Sequence, residues 1–210
     1  MASAVQRMGS MAVLGAALAS AAGLAWTAQP NPAPAARTAA ASSPRTAAAP
    51  QAAPYKFALL KKQFNFTLPA SYAGREIKRS SGTPGDGSAW GSMFASNDDR
   101  KIVVVSEAPN PSGTQVGKND NIFLTGAGAG YNAQQKRAHP RYQVQSEKTI
   151  VVKGLGMRRI EATDIIDGAA ALSTALLAAS GPTLAVVQVI SGANDPQGHE
   201  ALVDRILAGK

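Results

Sequence analysis

The side chains most capable of chemistry in this chain are two histidines, and they are far apart in the sequence. His139 precedes Pro140 in a predicted loop, and His199 lies in the first turns of a predicted helix. Neither histidine has a partner at the short spacing that metal ligands usually show. The chain also has no cysteine, which excludes disulfides, thiolate metal sites and cysteine nucleophiles. We therefore assign no metal-binding residue.

A glycine-rich stretch, in which Gly126, Gly128 and Gly130 alternate with alanine, invites comparison with phosphate-binding loops. The dinucleotide-binding fingerprint G-x-G-x-x-G lies between a strand and a helix. Its third glycine position holds Tyr131 when counted from Gly126, and Ala133 when counted from Gly128. A looser form of this fingerprint ends in alanine, and Ala133 matches it when the count begins at Gly128. However, no βαβ unit surrounds the stretch, and no P-loop Lys-Ser or Lys-Thr pair follows. We interpret it as a flexible or close-packed segment within or before a helix, and we assign no cofactor.

The carboxylates and serines form no recognisable hydrolase pattern. Asp98 and Asp99 precede Arg100 in a predicted hairpin turn, and Asp164 and Asp167 flank another turn. Carboxylates at such places usually cap backbone groups. No serine lies in a G-x-S-x-G nucleophile elbow. A paired-carboxylate site built from residues distant in the sequence stays an alternative, but the sequence assigns no catalytic residue.

Two neighbouring arginines, Arg158 and Arg159, lie in a predicted strand. Adjacent strand positions face opposite sides of a sheet, so the two side chains should point apart. One of them is expected to form a buried ion pair with Glu161. A surface contact with an anion is the alternative.

Three aromatic residues, Trp90, Tyr131 and Tyr142, are candidates for lining a groove between the sheet and a helix. Large aromatic side chains more often belong to the core, because they bury much apolar area. Such a groove would be the first place to examine for a ligand, but the sequence assigns no site there.

The elements that position these residues are mostly strands, followed by a closing helix. Residues 169–179 have helical propensity, yet they lie between strand candidates and lead through a Ser-Gly-Pro turn into another strand, so we predict a strand. Asp195 and Pro196 predict the start of the last helix. This order of elements predicts an α+β domain with an antiparallel β-sheet flanked by helices. Strands are predicted at 63–68, 75–79, 90–95, 101–107, 142–152 with a kink, 156–166, 169–179 and 183–190, and helices at 120–137 and 197–207.

The N-terminal region is predicted to be an export signal followed by a linker. Residues 1–28 predict a secretory signal peptide, since Arg7 precedes an uncharged apolar stretch at 11–26. That stretch is shorter than the roughly 20 residues that a membrane-spanning helix needs. Retention as an N-terminal anchor is the alternative. Residues 29–54 are rich in Pro and Ala and predict a disordered linker, and 55–210 form the domain. The expected location is the periplasm, with 11–26 as a membrane tether if they are not cleaved.

The charge of the chain argues against one class of partner. The net charge is +8, and the first 54 residues contribute three arginines and no acid. The domain therefore carries 18 basic and 13 acidic side chains, a net charge of +5 (18 − 13). Such a balance mildly favours anionic partners. Proteins that bind nucleic acid usually cluster Lys and Arg more densely, with aromatic residues between them, so nucleic acid is not an expected partner.

The C-terminal half resembles the DcrB family of bacterial envelope proteins, within the PsbP-like group of α/β/α sandwiches. The shared features are the strand-turn-strand IVVKGLGMRRIE, the strand TLAVVQVI that ends a hairpin, and a final helix after a polar loop. The stretch FNFTLPASY resembles the first strand of that family. The resemblance covers roughly residues 62–208 and includes no catalytic signature.

The resemblance implies a non-enzymatic exported protein, a periplasmic binding or adaptor domain that contributes to envelope homeostasis. Its implied partner is an envelope protein or a membrane component. Lipid anchoring is not implied, because the chain lacks the lipobox cysteine. The alternative function is a periplasmic hydrolase or a metal-assisted enzyme whose site follows no sequence motif.

Overall fold

A computed structural model describes residues 53–210 apart from 77–88, 97–99 and 111–112. Seven of its strands form one antiparallel sheet in the spatial order β3-β4-β5-β9-β8-β7-β6, and β1 and β2 pair as a separate antiparallel hairpin. The predicted α+β class is confirmed. The elements are β1 (Tyr55–Leu59), β2 (Phe64–Leu68), β3 (Tyr72–Glu76), β4 (Trp90–Ser96), β5 (Lys101–Pro109), α1 (Asn121–Ala138), β6 (Gln143–Val152), β7 (Leu155–Ile166), β8 (Ala169–Ser180), β9 (Thr183–Gly192) and α2 (Pro196–Ala208).

The seven-stranded sheet is covered on both faces. Helix α2 and the β1–β2 hairpin pack on one face, which we call the α2 face, and helix α1 packs on the other, the α1 face. Successive side chains of a strand point to opposite faces of the sheet, so a central strand contributes buried residues to the hydrophobic core on each face. On β8, for example, Leu176 belongs to the α2 face and Leu177 to the α1 face, and both are fully buried. Burial of each such side chain stabilises the fold by about 1.5–3 kcal/mol.

Strand β8 shows tertiary structure overriding local propensity. Its Ala and Leu residues favour helix in isolation. In the sheet, β8 hydrogen-bonds to β7 on one side and to β9 on the other, and residues 171–179 are buried except Leu172. The turn to β9 is tight, with Gly181 at φ 60°, a conformation that glycine adopts without strain. The prediction of a strand at 169–179 is confirmed.

An aspartate caps each helix, and the cap of α2 at Asp195 is the one predicted from the sequence. Asp120 precedes α1 and accepts a hydrogen bond from the Phe123 backbone N–H at 2.9 Å. Asp195 precedes α2 and accepts one from the Gly198 N–H, also at 2.9 Å, with Pro196 as the first helical residue. These bonds satisfy backbone donors that the first helical turn leaves free. Within the described residues, no helix is both long and apolar enough to cross a membrane.

Two strands differ from the predictions. Strand β1 was not predicted from the sequence, and the FNFTL segment is the second strand of the domain and not the first. Strand β1 has only five residues and depends on pairing with β2, which a linear reading does not reveal. Strand β3 covers 72–76, where 75–79 was predicted, because Tyr72 is buried in the core and fixes the strand earlier. The predicted signal peptide at 1–28, the predicted linker as far as residue 52, residues 77–79, Asp98 and Asp99 lie outside the described residues.

Candidate functional site

The first turns of α2 place His199 above the centre of the sheet. Its Nε2 lies 2.8 Å from Thr174 Oγ1 on β8, and its Nδ1 lies 2.8 Å from Ser191 Oγ on β9. All three residues are buried, and we call them the His199 cluster. A neutral imidazole has one donor and one acceptor nitrogen, so one hydroxyl donates to the ring and the other accepts from it.

Burial holds this imidazole in its neutral form. Desolvation is the largest influence and lowers the pKa of His199. The nearby cations Arg159 and Lys101 lower the pKa further, whereas Glu200 and Glu161 oppose the shift. Both nitrogens of the neutral ring find partners here, because one hydroxyl can donate to the unprotonated nitrogen and the other can accept from the protonated one.

The contact between Ser191 and His199 is the arrangement in the described chain closest to a nucleophile with its base. A serine nucleophile requires an imidazole within hydrogen-bond reach, and a carboxylate usually orients that imidazole. Here the second ring nitrogen faces the hydroxyl of Thr174. The Ser191 residue is only 3% exposed, which leaves little access for a substrate. The direct effect of these two hydrogen bonds is to connect α2 to β8 and β9.

An ionic network continues across the α2 face from the His199 cluster. One terminal nitrogen of Arg159, Nη2, donates to the carboxylate oxygens of Glu200 at 2.7 and 2.6 Å. Arg159 Nε lies 2.8 Å from Glu161 Oε1, an ion-pair contact without hydrogen-bond geometry. The Ser146 hydroxyl donates to Glu161 at 2.6 Å. This hydrogen bond is the main cause that lowers the pKa of Glu161, and Arg159 and Lys148 lower it further. The predicted buried partner of Glu161 is thus Arg159.

Arg158 points to the opposite, α1 face, as the strand alternation predicted. Its Nε lies 2.8 Å from Glu147 Oε1 on β6. The other Glu147 oxygen accepts from Asn132 Nδ2 at 3.2 Å, and Asn132 Oδ1 accepts from the Tyr142 hydroxyl at 3.2 Å. Burial, with the negative charges of Glu147 and Asp164, raises the pKa of Tyr142 to about 12. The phenol is therefore a neutral donor in this chain of hydrogen bonds.

The two histidines lie on different faces of the sheet. His139 follows α1, and its Nδ1 lies 3.1 Å from Oδ2 of Asp164, a buried carboxylate on the α1 face of β7. The full thickness of the sheet therefore separates His139 from His199. Among the described residues, no group of three or more His, Cys, Asp or Glu side chains is placed to hold a metal ion.

The aromatic groove expected from the sequence is not formed by the three named residues. Trp90 packs on the α2 face, with its ring 6.2 Å from that of Phe57. Tyr131 and Tyr142 lie on the α1 face. The three residues do not form one groove, because β4 carries Trp90 on the α2 face, which a strand pattern does not reveal. Tyr131 is a core residue whose hydroxyl has no hydrogen-bond partner within the described structure, and burial raises its pKa.

The glycine-rich stretch lies inside α1, as interpreted from the sequence. Gly128 faces the sheet, where a Cβ atom would lie 2.6 Å from Glu147 Oε1 and 3.3 Å from Arg158 Cγ. Gly130 is exposed, and a Cβ atom there would have no neighbour within 4 Å. Gly128 therefore serves the close approach of α1 to the Arg158–Glu147 pair, and Gly130 has no such role.

These two glycines give a matched pair of substitutions. We expect Gly130→Ala to raise the free energy of unfolding by about 0.5–1 kcal/mol, because alanine favours helix over glycine. We expect Gly128→Ala to lack this gain in stability, because the added methyl group displaces Glu147 from Arg158. We expect Gly128→Leu to lower the free energy of unfolding by about 1–3 kcal/mol through overpacking. Urea denaturation measures all three variants. Equal effects of alanine at both positions would contradict the assigned packing role.

The partners of His199 were missed in the sequence analysis. Thr174 and Ser191 occupy positions that face α2, and their neighbours on the same face of each strand, Leu172, Leu176 and Val189, are apolar. Polar residues at such positions are a signal for a buried hydrogen-bonded cluster. The signal could be read only after the strand assignment and the register between β8 and β9 were known.

Comparisons with known proteins support the fold. No family model matches the chain, and no curated protein matches it in sequence. Among solved structures, the solution structure of cyanobacterial PsbP (CyanoP) from Synechocystis is similar, with a TM-score of 0.54 and 13% identity, covering 79% of this chain and 96% of that one. A protein of unknown function from Pseudomonas aeruginosa matches with a TM-score of 0.44 and 12% identity, covering 75% and 95% of the two chains. The chain has a PsbP-like fold.

Proposed function

We propose that this protein is an exported, non-enzymatic binding or adaptor domain of the bacterial cell envelope, of the DcrB-like kind. The signal-like residues 1–28 and the Pro/Ala-rich spacer at 29–54 support export to the periplasm. The PsbP-like fold agrees with the wider group to which the DcrB resemblance points. An adaptor on a spacer acts through its outer surface, and its buried polar groups maintain the fold.

The observation that carries the proposal is the internal pairing of the groups that could do chemistry. His199 is held between two hydroxyls, and Arg159 is held between two glutamates. His139 pairs with Asp164. A catalytic group must instead reach a substrate. The most reactive groups of the described chain are therefore occupied in stabilising it.

The hydrolase alternative has one observation in its favour, the 2.8 Å contact between Ser191 and His199. It would require α2 to move away from the sheet so that a substrate could reach the serine hydroxyl. Ser191→Ala tests this alternative directly. Hydrolysis of a nitrophenyl ester panel by the wild type that disappears in this variant would establish the hydrolase and contradict the adaptor.

Cross-linking in living cells tests the adaptor proposal. A photoreactive amino acid would be placed singly at exposed positions, for example at Gln145, Gln197 and Ala201, with buried Val187 as the matched control. We expect the protein in the periplasmic or envelope fraction, and a discrete adduct from at least one exposed position. Recovery from the cytosol with residues 1–28 intact would overturn export, and the lack of any adduct, to protein or to lipid, from all exposed positions would overturn the binding or adaptor role.

A further inference from the structure

Several loops that are distant in sequence meet at one end of the domain. These loops are 60–63, 117–120, 153–154, 180–182 and 209–210, and we call this region the lysine end. Hydrogen bonds tie the loops together. They run from Gln63 Nε2 to Ser180 Oγ at 2.9 Å, from the Gly156 N–H to the Lys118 carbonyl at 2.9 Å, and from Lys153 Nζ to the Ala208 carbonyl at 2.9 Å.

The charged side chains of these loops are mainly basic. All their basic residues are exposed lysines: Lys61, Lys62, Lys118, Lys153 and Lys210. Two acidic side chains are described at this end: Asp120, whose carboxylate caps α1, and the buried Glu107 on β5, which accepts a hydrogen bond from the Leu60 N–H. The opposite end of the sheet has mixed charge, because Asp164, Asp167 and Asp195 lie there among its basic residues. The exposed charge of the described lysine end is therefore mainly positive, whereas basic and acidic side chains are mixed at the opposite end.

The same end presents the two most exposed large apolar side chains of the described chain. Ile122 in the first turn of α1 is 89% exposed, and Val151 near the end of β6 is 65% exposed. The Thr149 hydroxyl donates to Asn121 Oδ1, which holds this turn of α1 against β6. Lys118 and Lys153 flank the two apolar side chains in sequence. Single exposed apolar residues are ordinary, but here two of them share one edge with a concentration of lysines.

We propose that the lysine end docks on the surface of an anionic phospholipid bilayer, with Ile122 and Val151 entering the interfacial layer. Lysines near an anionic bilayer and apolar side chains that enter it act together in peripheral membrane binding. The basic residues of these loops are lysines and not arginines. Arginine is the residue suited to bidentate recognition of a phosphate group in a fixed geometry, whereas flexible, hydrated lysines suit a fluid charged surface. The inference rests on the proposed function, since it names the partner of a binding domain at the envelope.

Vesicle sedimentation with the full chain tests the proposal. The variant Lys61→Gln/Lys62→Gln/Lys118→Gln removes three charges from the lysine end. The matched control Lys136→Gln/Arg137→Gln/Arg141→Gln removes three exposed charges from the opposite end. Binding to vesicles of phosphatidylglycerol mixed with phosphatidylcholine is compared with binding to vesicles of phosphatidylcholine alone. All variants share residues 11–26, so binding through that apolar stretch is measured on the neutral vesicles and subtracted.

We expect the wild type and the control to prefer the anionic vesicles, and the lysine variant to lose that preference by about tenfold or more. High salt should reduce the preference in the same way. Equal loss in both triple variants would show a response to net charge and would overturn a specific surface. No preference of the wild type for anionic vesicles would also overturn it.

A second measurement locates the contact. The chain lacks cysteine, so Ile122→Cys and, at the opposite end, Ala169→Cys can each be labelled with an environment-sensitive fluorophore. We expect a blue shift at residue 122 on anionic vesicles and none at residue 169. The reverse pattern would overturn the proposed orientation. These assays use purified protein and are independent of the cross-linking in cells. If no vesicle binding is found but a protein adduct forms in cells, the bilayer proposal is overturned and the adaptor proposal stands with a protein partner.

Discussion

Replacing His199 by alanine is expected to lower the free energy of unfolding by about 3 kcal/mol. The substitution removes a buried ring and leaves a cavity, which alone destabilises large-to-small core variants by a few kcal/mol. It also leaves the Thr174 and Ser191 hydroxyls without their ring partner, and each buried unsatisfied group costs about 1–3 kcal/mol unless water reaches it. Chemical denaturation followed by circular dichroism measures the change.

The matched control for this substitution is Gln197→Ala. Gln197 is exposed two residues earlier in the same helix, and its replacement should change the free energy of unfolding by less than about 0.5 kcal/mol. If His199→Ala were as mild as this control, the His199 cluster would not bond α2 to the sheet.

The pH dependence of stability gives an independent readout of the same residue. The pKa of His199 is lowered in the folded chain, whereas in the unfolded chain it is about 6.5. Below that pH the unfolded state binds more protons than the folded state, so this contribution to stability is complete above about pH 6.5 and decreases as the pH falls. His199→Leu should therefore show a smaller loss of stability between pH 7.5 and 5.5 than the wild type. An unchanged loss would contradict a neutral buried ring.

Replacing Arg159 by alanine is expected to destabilise the domain by about 2–3 kcal/mol. Arg159 is 8% exposed and pairs with Glu161 on its own strand and with Glu200 on α2. Removing one partner of a fully buried pair costs about 3–5 kcal/mol. Because the side chains of Glu161 and Glu200 are 32% and 49% exposed, solvent screens part of the loss and the expected effect is smaller.

Lys148→Ala is the matched control for the arginine variant. Lys148 Nζ lies 3.9 Å from Glu161 and its side chain is 55% exposed, so its removal should cost under about 0.5 kcal/mol. A double-mutant cycle between Arg159 and Glu200 isolates the link between sheet and helix. A coupling energy near zero would show that the Arg159 effect does not arise from its ion pair with Glu200.

The sequence by itself determined much of the secondary structure and the α+β class of this protein. The strand pattern in 156–166, the β-branched run in 101–107 and the cap at Asp195 depend on local periodicity and backbone hydrogen bonding. These features are readable because they act over a few residues. The opposed directions of Arg158 and Arg159 follow from the same period of two.

Tertiary structure decided which of these residues meet. Thr174, Ser191 and His199 come together only because β8 and β9 pair in one register and α2 returns across them. Trp90 was placed wrongly relative to Tyr131, because a strand pattern does not say which face of the sheet each helix covers. The concentration of lysines at one end depends on where five separate loops arrive, and contacts of such long sequence separation are not contained in any local pattern.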